Sequence, residues 1–228
     1  MFSLDDMNRV TWGTPFRGLE AVLTFHNLAL GLAVLFLSRI LGLLYFMNSI
    51  ESDAIYQHSK KQLLYNTVPF LVFFLYFVIA LLFKDGYAYD GNGVISVQPY
   101  KYLHNLIEMP VNTLLFLVGV IGVLWGIIST LLKGGTKGIW FAGGGTVLTV
   151  WALLILAAFN NTSFYPSLFD LQSSLTIEKA SSSKFTLVAM SYVSLFVPFV
   201  LGYIWYAWKS MNNKKITTEE LEQEHHAY

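Results

Sequence analysis

Long apolar runs constrain this chain more than any other feature. The runs Val111 to Leu132, Gly138 to Phe159 and Phe185 to Trp208 contain no Asp, Glu, Lys or Arg. Tyr65 to Phe83 is a fourth apolar run, and the longer Gly18 to Met47 is a fifth. Each is long enough to cross a hydrocarbon core, which takes an α-helix of about 20 residues. The sequence therefore predicts an all-α integral membrane protein with five transmembrane helices.

The composition agrees with this class. The chain is 55% hydrophobic and 12% charged, whereas soluble domains carry about 25% charged residues. A formal net charge of zero gives no electrostatic reason to expect a nucleic-acid partner. The absence of cysteine excludes disulfides, thiolate-bound iron–sulfur clusters and cysteine nucleophiles. The polar, acidic N-terminus lacks the basic start of a cleavable signal peptide.

Breaks in the apolar pattern divide the chain into three parts. We expect residues 1–17 to form an extramembrane loop, because Gly13, Thr14 and Pro15 interrupt any regular element. Residues 18–210 are expected to form a five-span membrane domain, and residues 211–228 a polar tail. The expected spans are about 18–47, 65–83, 111–132, 138–159 and 185–208.

The links between spans carry their own signals. Asp90-Gly91-Asn92-Gly93 between two β-prone runs predicts a short extramembrane hairpin near residues 86–98. Tyr100 to Pro110 is expected to be a short interfacial helix, and the charged link Glu51 to Gln62 is expected to continue the first helix.

Two further signals lie near the C-terminus. Pro198 should kink the last span, because proline removes a backbone donor from the helix. The pair Thr217 and Glu220 forms a capping box that predicts a short exposed helix or a frayed tail.

Five spans place the two chain ends on opposite sides of the membrane, and lysine and arginine favour the cytoplasmic side. One side would hold Lys60, Lys61, Lys133, Lys137, Lys209, Lys214 and Lys215. The other would hold Arg9, Arg17, Lys84, Lys101, Lys179 and Lys184. The first side thus has seven basic residues against six on the other, and the seven are concentrated near span ends. This difference favours a cytoplasmic C-terminus.

Few ionisable or strongly polar side chains fall in the predicted spans, and such groups are functional candidates because burying them in lipid is costly. Glu20 is either an interfacial carboxylate or part of a proton path or quinone pocket. The simpler interpretation of His26 is that it bonds a neighbouring helix. Arg39 either extends toward the headgroups or pairs with a partner subunit. Asn27 lies seven residues from Glu20, so both fall on one helical face.

The residues supply no self-contained catalytic site. A bis-histidine haem needs two facing axial ligands, but His26 is the only histidine expected inside a span. The triplet Gly143-Gly144-Gly145 lacks the Lys-Ser or Lys-Thr of a phosphate loop and favours close helix packing instead. A helical subunit beside a cofactor-bearing partner therefore fits. A small transporter with a midplane site, or an independent membrane scaffold, is the alternative.

Long, ordered segments carry a resemblance to a known family. They are RGLEAVLTFHNLALGLAVLFLSRILGLLYF at residues 17–46, QPYKYLHNLIEMPV at 98–111, TKGIWFAGGGTVLTV at 136–150, and the stretch at 160–209, which begins NNTSFYPSLFDLQSSLTIEKASSSKFTL. Together they resemble subunit II of the cytochrome bd-type quinol oxidases, in the branch found in Bacteroidetes-type bacteria. The resemblance is to the second part of family members, which have about nine spans, so we expect the upstream DNA to encode four more helices.

The resemblance implies a role in a bacterial inner-membrane complex that oxidises ubiquinol or menaquinol and reduces dioxygen to water. It implies that haems b and d belong to the haem-bearing subunit I, that this chain alone binds no haem, and that a quinone or lipid binds to subunit II in some members. The partners would be subunit I, membrane lipid and, through the complex, quinol. No catalytic residue is carried over, because the acidic residues of the family's proton route have no counterpart here.

Overall fold

The computed structural model describes residues 2–4, 10–17, 19–211 and 216–217. Within them, five helical segments are long and apolar enough to cross a membrane. Four are single helices: α1 (Phe25–Ser49), α2 (Asp53–Leu82), α4 (Pro110–Lys133) and α5 (Gly138–Ala158). The fifth segment, Lys184–Met211, contains α7 (Lys184–Ser194) and α8 (Val197–Met211). The prediction of an all-α membrane protein with five spans is confirmed.

The first span begins later than its apolar run. Residues Leu19–Leu23 form a 3₁₀ helix, and α1 starts only at Phe25. The Thr24 hydroxyl oxygen accepts a hydrogen bond from the Asn27 amide at 3.4 Å, which is the geometry of an N-cap and fixes this start.

The second helix is longer than the 65–83 expected from its apolar run. The charged link Glu51 to Gln62 does not continue α1, because the chain turns at Ile50–Glu51 and α2 begins at Asp53. An aspartate in the first turn interacts favourably with the helix dipole. The polar first three turns of α2 therefore extend the helix beyond the apolar part.

The last span is divided at the predicted proline. Pro198 cannot donate a backbone hydrogen bond, so the Ser194 carbonyl loses its usual helical partner. The amides of Leu195 and Phe196 instead donate to Tyr192 and Val193 at 3.2 and 3.0 Å, which is the tighter 3₁₀ pattern. The two helices α7 and α8 meet at this break.

The extramembrane hairpin is confirmed. Strands β4 (Gly86–Tyr89) and β5 (Ile95–Gln98) pair antiparallel. Between them Asp90 Oδ1 accepts hydrogen bonds from the amides of Asn92 and Val94 at 3.0 and 2.8 Å. Gly93 has a φ of +75°, a left-handed conformation that glycine adopts without steric cost.

Two short helices and a pair of strands complete this end of the molecule. The expected helix after the hairpin is α3 (Lys101–Glu108), and a further short helix, α6 (Ile177–Ala180), lies between α5 and α7. Strands β1 (Phe2–Leu4) and β2 (Val10–Trp12) pair antiparallel, which differs from the loop expected over residues 1–17. A side chain at Gly13 would contact the Phe169 ring at 3.0 Å, so this strand pair lies against the loop before α6.

The opposite end contains the turn after α1 and the short strand after α8. Strand β3 (Ile50–Glu51) pairs parallel with β6 (Ile216–Thr217). The chain after the last span therefore returns to the same end as the first turn, as four intervening spans require. The predicted capping box at Thr217 and Glu220 extends outside the described residues, as does most of the tail 211–228.

The core is a four-helix layer of α1, α2, α4 and α5. Its fully buried side chains include Ile40, Leu44, Leu63 and Ile127. The buried share of the apolar window is 22% in α1 and 28% in α2, α4 and α5, but 0% in Lys184–Met211. Most of the helical surface is thus left for lipid or for other protein, and the last span packs least on its own chain.

Candidate functional sites

Three of the four predicted polar candidates lie at one end of α1. Glu20 is half-buried in the 3₁₀ helix and accepts a hydrogen bond from the Thr14 hydroxyl. The half-buried His26 ring stacks on Phe77 of α2, with ring centroids 4.7 Å apart. Asn27 is exposed in the first turn of α1. The histidine therefore does contact the neighbouring helix, through ring stacking.

The expectation that Glu20 and Asn27 share one helical face is not met. The change from 3₁₀ to α-helix at Thr24 interrupts the seven-residue periodicity. One side chain is half-buried beside Thr14 and the other is exposed. The two residues therefore do not form a common buried polar face.

Arg39 lies apart from these residues. It is 13 positions after His26, or about 20 Å along the helix at 1.5 Å per residue. Its side chain is exposed and lines a groove of about 710 Å³ between α1 and α2, together with His58 and Gln62. The predicted candidates thus occupy two separate places, one at the start of α1 and one just past its middle.

A buried polar network that sequence reasoning missed connects α3, α5 and the loop after α5. Asn105 is 0% exposed, and its amide nitrogen donates to the Leu156 carbonyl at 3.0 Å and to Thr162 Oγ1 at 2.7 Å. Asn160 donates to Asn105 Oδ1 at 3.0 Å and to the Glu108 carboxylate. The sequence signal that could have revealed this network is the position of Asn105. It lies on the face of the strongly amphipathic α3 that is opposite the exposed Ile107.

Lys101 is buried beside this network, at the start of α3. A side chain at Gly86 would contact Lys101 Cβ at 2.5 Å, so the lysine stem lies directly against the β4 backbone. Burial lowers the pKa of Lys101, and the opposite charge of Glu108 partly offsets this by raising it. Burial likewise raises the pKa of the neighbouring Tyr102, with a smaller contribution from Tyr87.

The Ser-rich loop between α5 and α7 is folded onto the β4–β5 hairpin. The Ser163 amide donates to the Tyr87 carbonyl at 2.7 Å, and the Tyr89 amide donates to Asn161 at 3.0 Å. Gln172 bonds both backbone groups of Ile95, at 3.0 and 2.8 Å. The buried hydroxyl residues of this loop are Thr162, Ser163, Ser167, Ser173, Ser174 and Thr176.

An apolar cavity of about 110 Å³ lies among the four packed helices. Its walls include Ala33, Phe70, Val123 and Thr149. The Thr149 hydroxyl donates to the Gly145 carbonyl of its own helix at 2.8 Å, so the cavity gains no free donor from it. Such walls can contact a hydrocarbon segment, and they present no group that could act in catalysis.

The histidines of the spans are too far apart to share one haem. His58 lies within α2, in the polar first turns that extend the helix beyond its apolar part. It is 19 residues before Phe77, on which His26 stacks, or about 28 Å along the helix. Over the described ranges, no group of three or more His, Asp or Glu side chains could hold a metal ion.

These features define a class: a polytopic helical membrane protein with a polar extramembrane cap at one end and broad apolar surfaces left uncovered. The sequence matches the model of the family described as cytochrome bd terminal oxidase subunit II over residues 6–211. The chain belongs to this family, as its resemblance indicated. No curated protein matches the chain. The family match does not test whether further helices precede it, so that expectation stays a prediction.

Proposed function

We propose that this chain is a non-haem structural subunit of a cytochrome bd-type oxidase that uses ubiquinol or menaquinol. The family match over residues 6–211 carries the proposal. In this account subunit I binds haems b and d, oxidises quinol and reduces dioxygen. This chain packs against subunit I and supports proton access to it, in the bacterial inner membrane, with its C-terminus in the cytoplasm.

The last span supports the proposal of a protein partner. No residue from Lys184 to Met211 is buried within the chain, and α8 touches the bundle through Trp208, whose ring lies 5.2 Å from that of Trp140. Tilt and rotation of a transmembrane helix are set by packing against neighbouring helices. A span with so little packing on its own chain therefore needs another subunit to orient it.

The positions of the histidines also agree with this role. His26 and His58 lie near opposite ends of the α1–α2 pair, with His26 stacked on Phe77. A haem with two axial ligands needs both side chains within one site. The proposal therefore assigns the haems to the partner and a packing role to this chain.

Co-purification tests this function. A tagged copy of the chain, expressed in its own bacterium at native level, should bring a haem-bearing subunit with it from detergent-solubilised membranes. Loss of the chain should abolish quinol-dependent oxygen consumption by that complex. A chain that purifies alone, from cells whose bd-type quinol oxidation does not change without it, would refute the proposal.

A further inference from the structure

A groove whose lining is mostly apolar, with a few polar side chains, runs between α1 and α2 at the end where these helices turn. It has a volume of about 710 Å³. The lining side chains that matter here are Arg39, Leu43, Phe46, His58, Ser59 and Gln62. We call this feature the Arg39 groove.

Helical spacing makes the Arg39 groove continuous. Arg39, Leu43 and Phe46 are separated by four and three residues, so they form one strip along α1. His58 and Gln62 are four residues apart and form the facing strip of α2. A guanidinium and two hydrogen-bonding side chains therefore face the same space.

The groove is positive or neutral in charge. Among the described residues, none of those that line it is Asp or Glu. Lys60, Lys61, Lys133 and Lys137 belong to the same end of the molecule, at the start of α2 and around the α4–α5 turn. Glu51 and Asp53 at the α1–α2 turn offset part of this positive charge, and the excess that remains complements an anionic ligand.

Contacts between the helices place the Arg39 groove at the membrane boundary. A side chain at Gly138 would meet Leu44 at 3.3 Å, and one at Gly134 would meet the Tyr56 hydroxyl at 3.6 Å. Leu44 and Tyr56 are therefore level with the turn that joins α4 and α5. Arg39 lies five residues deeper than Leu44, or about 7.5 Å, a distance that its long side chain can span toward the headgroups.

The strip of α1 below Arg39 is apolar. Leu35 and Leu28, four and eleven residues before Arg39, are 49% and 50% exposed. Moving inward from the turn, the surface changes from a groove that contains Arg39, His58 and Gln62 to an uncovered apolar strip. This order matches a lipid with a charged headgroup and acyl chains.

From this placement we propose that the Arg39 groove binds an anionic phospholipid. The Arg39 guanidinium binds the phosphate, since guanidinium forms strong charge-assisted hydrogen bonds with phosphate. Gln62 and His58 offer further donors beside it. Leu43 and Phe46 lie nearer the turn than Arg39 and flank the headgroup, and the glycerol region and acyl chains follow Leu35 and Leu28.

Lipid retention by the purified full-chain complex tests this site. The complex is placed in nanodiscs of phosphatidylcholine containing some phosphatidylglycerol, then extracted, and the bound lipid is identified by mass spectrometry. Wild type should retain phosphatidylglycerol in preference to phosphatidylcholine, and Arg39→Gln should reduce that retention about tenfold. Arg39→Lys, which keeps the charge, should restore most of it.

Lys61→Gln is the matched control, because it removes an exposed cation at the same end that does not line the groove. It should retain lipid as wild type does. Equal retention in Arg39→Gln and wild type would overturn the proposal. So would competition by millimolar inorganic phosphate as effective as by lipid, which would indicate a free-phosphate site. Arg39→Gln that keeps its lipid but loses the partner subunit would identify the groove as a protein contact instead.

Discussion

At the residue scale, Asn105 links three parts of the chain that are distant in sequence. Its side chain bonds Leu156 at the end of α5 and both Asn160 and Thr162 in the loop that follows. These partners are enclosed, with Asn105 and Thr162 both 0% exposed. Removing the amide would leave buried donors and acceptors unpaired, which is costly.

Asn105→Ala should therefore reduce stability by about 1–3 kcal/mol. Thermal melting of the purified protein in detergent measures the loss. Asn92→Ala in the exposed hairpin turn is the control and should change stability by less than about 0.5 kcal/mol. Equal melting temperatures for the two variants would show that the network contributes little.

The burial of Lys101 predicts the direction in which the stability of the folded protein changes with pH. Because burial lowers its pKa, the folded protein holds this proton less tightly than the unfolded chain, whose lysine pKa is about 10.4. The charged, buried Lys101 therefore destabilises the folded protein at neutral pH. This destabilisation decreases as the pH rises from the folded pKa toward the unfolded pKa. Wild type should gain stability relative to Lys101→Met as pH is raised from neutral.

Melting temperatures of both proteins across that pH range measure the effect. The exposed Lys61→Met serves as control, and its difference from wild type should stay constant. A Lys101→Met difference that also stays constant with pH would contradict the assigned burial effect.

Single residues are where the sequence was least informative. His26 could be expected to contact another helix, because an ionisable group in a span needs a partner. The choice of Phe77 depends on how α1 and α2 pack, which no local pattern encodes. Asn105 and Gln172 were missed for the same reason, since their partners lie 51 and 77 residues away.

At the element scale, small residues determine how closely α4 and α5 approach. A Cβ at Gly145 would lie 2.5 Å from the Val123 amide nitrogen, and one at Gly126 would lie 2.6 Å from the Gly138 carbonyl. Gly143 and Gly144 have nothing within 4 Å of such a Cβ. Of the glycine triplet that suggested close packing, only Gly145 makes the contact.

Adjacent glycines allow a matched test. Gly145→Ala should destabilise the protein, because the helix backbones must separate to admit the methyl group. Gly144→Ala should be neutral or stabilising, by up to about 1 kcal/mol from helix propensity. Thermal melting of the two variants compares them directly, and a Gly145→Ala protein as stable as Gly144→Ala would contradict the packing described.

The elements themselves followed closely from the sequence. Apolar run length predicted the five spans, and the Asp-Gly-Asn-Gly turn predicted the hairpin, because both depend on local physics. The start of α1 and the long polar extension of α2 were missed. They depend on the cap at Thr24 and on a turn at Ile50–Glu51 that no Gly or Pro marks.

At the scale of the whole molecule, the five spans place the hairpin and the α4–α5 turn on opposite sides of the membrane. The chain contains no cysteine, so single cysteines can report each side without background. Asn92→Cys and Gly135→Cys should react with a membrane-impermeant maleimide from opposite sides of sealed vesicles. If the C-terminus is cytoplasmic, Gly135→Cys is the residue on the cytoplasmic side; labelling of both from one side would refute the topology.

The central claim is that this chain is the haem-free partner of a haem-bearing subunit. The most direct measurement is a reduced-minus-oxidised spectrum of the purified complex, and then of this chain after it has been separated from subunit I and shown to remain folded. The account predicts haem b and d signals in the complex and none on the separated chain. A haem b signal that stays with this chain in stoichiometric amount would contradict it.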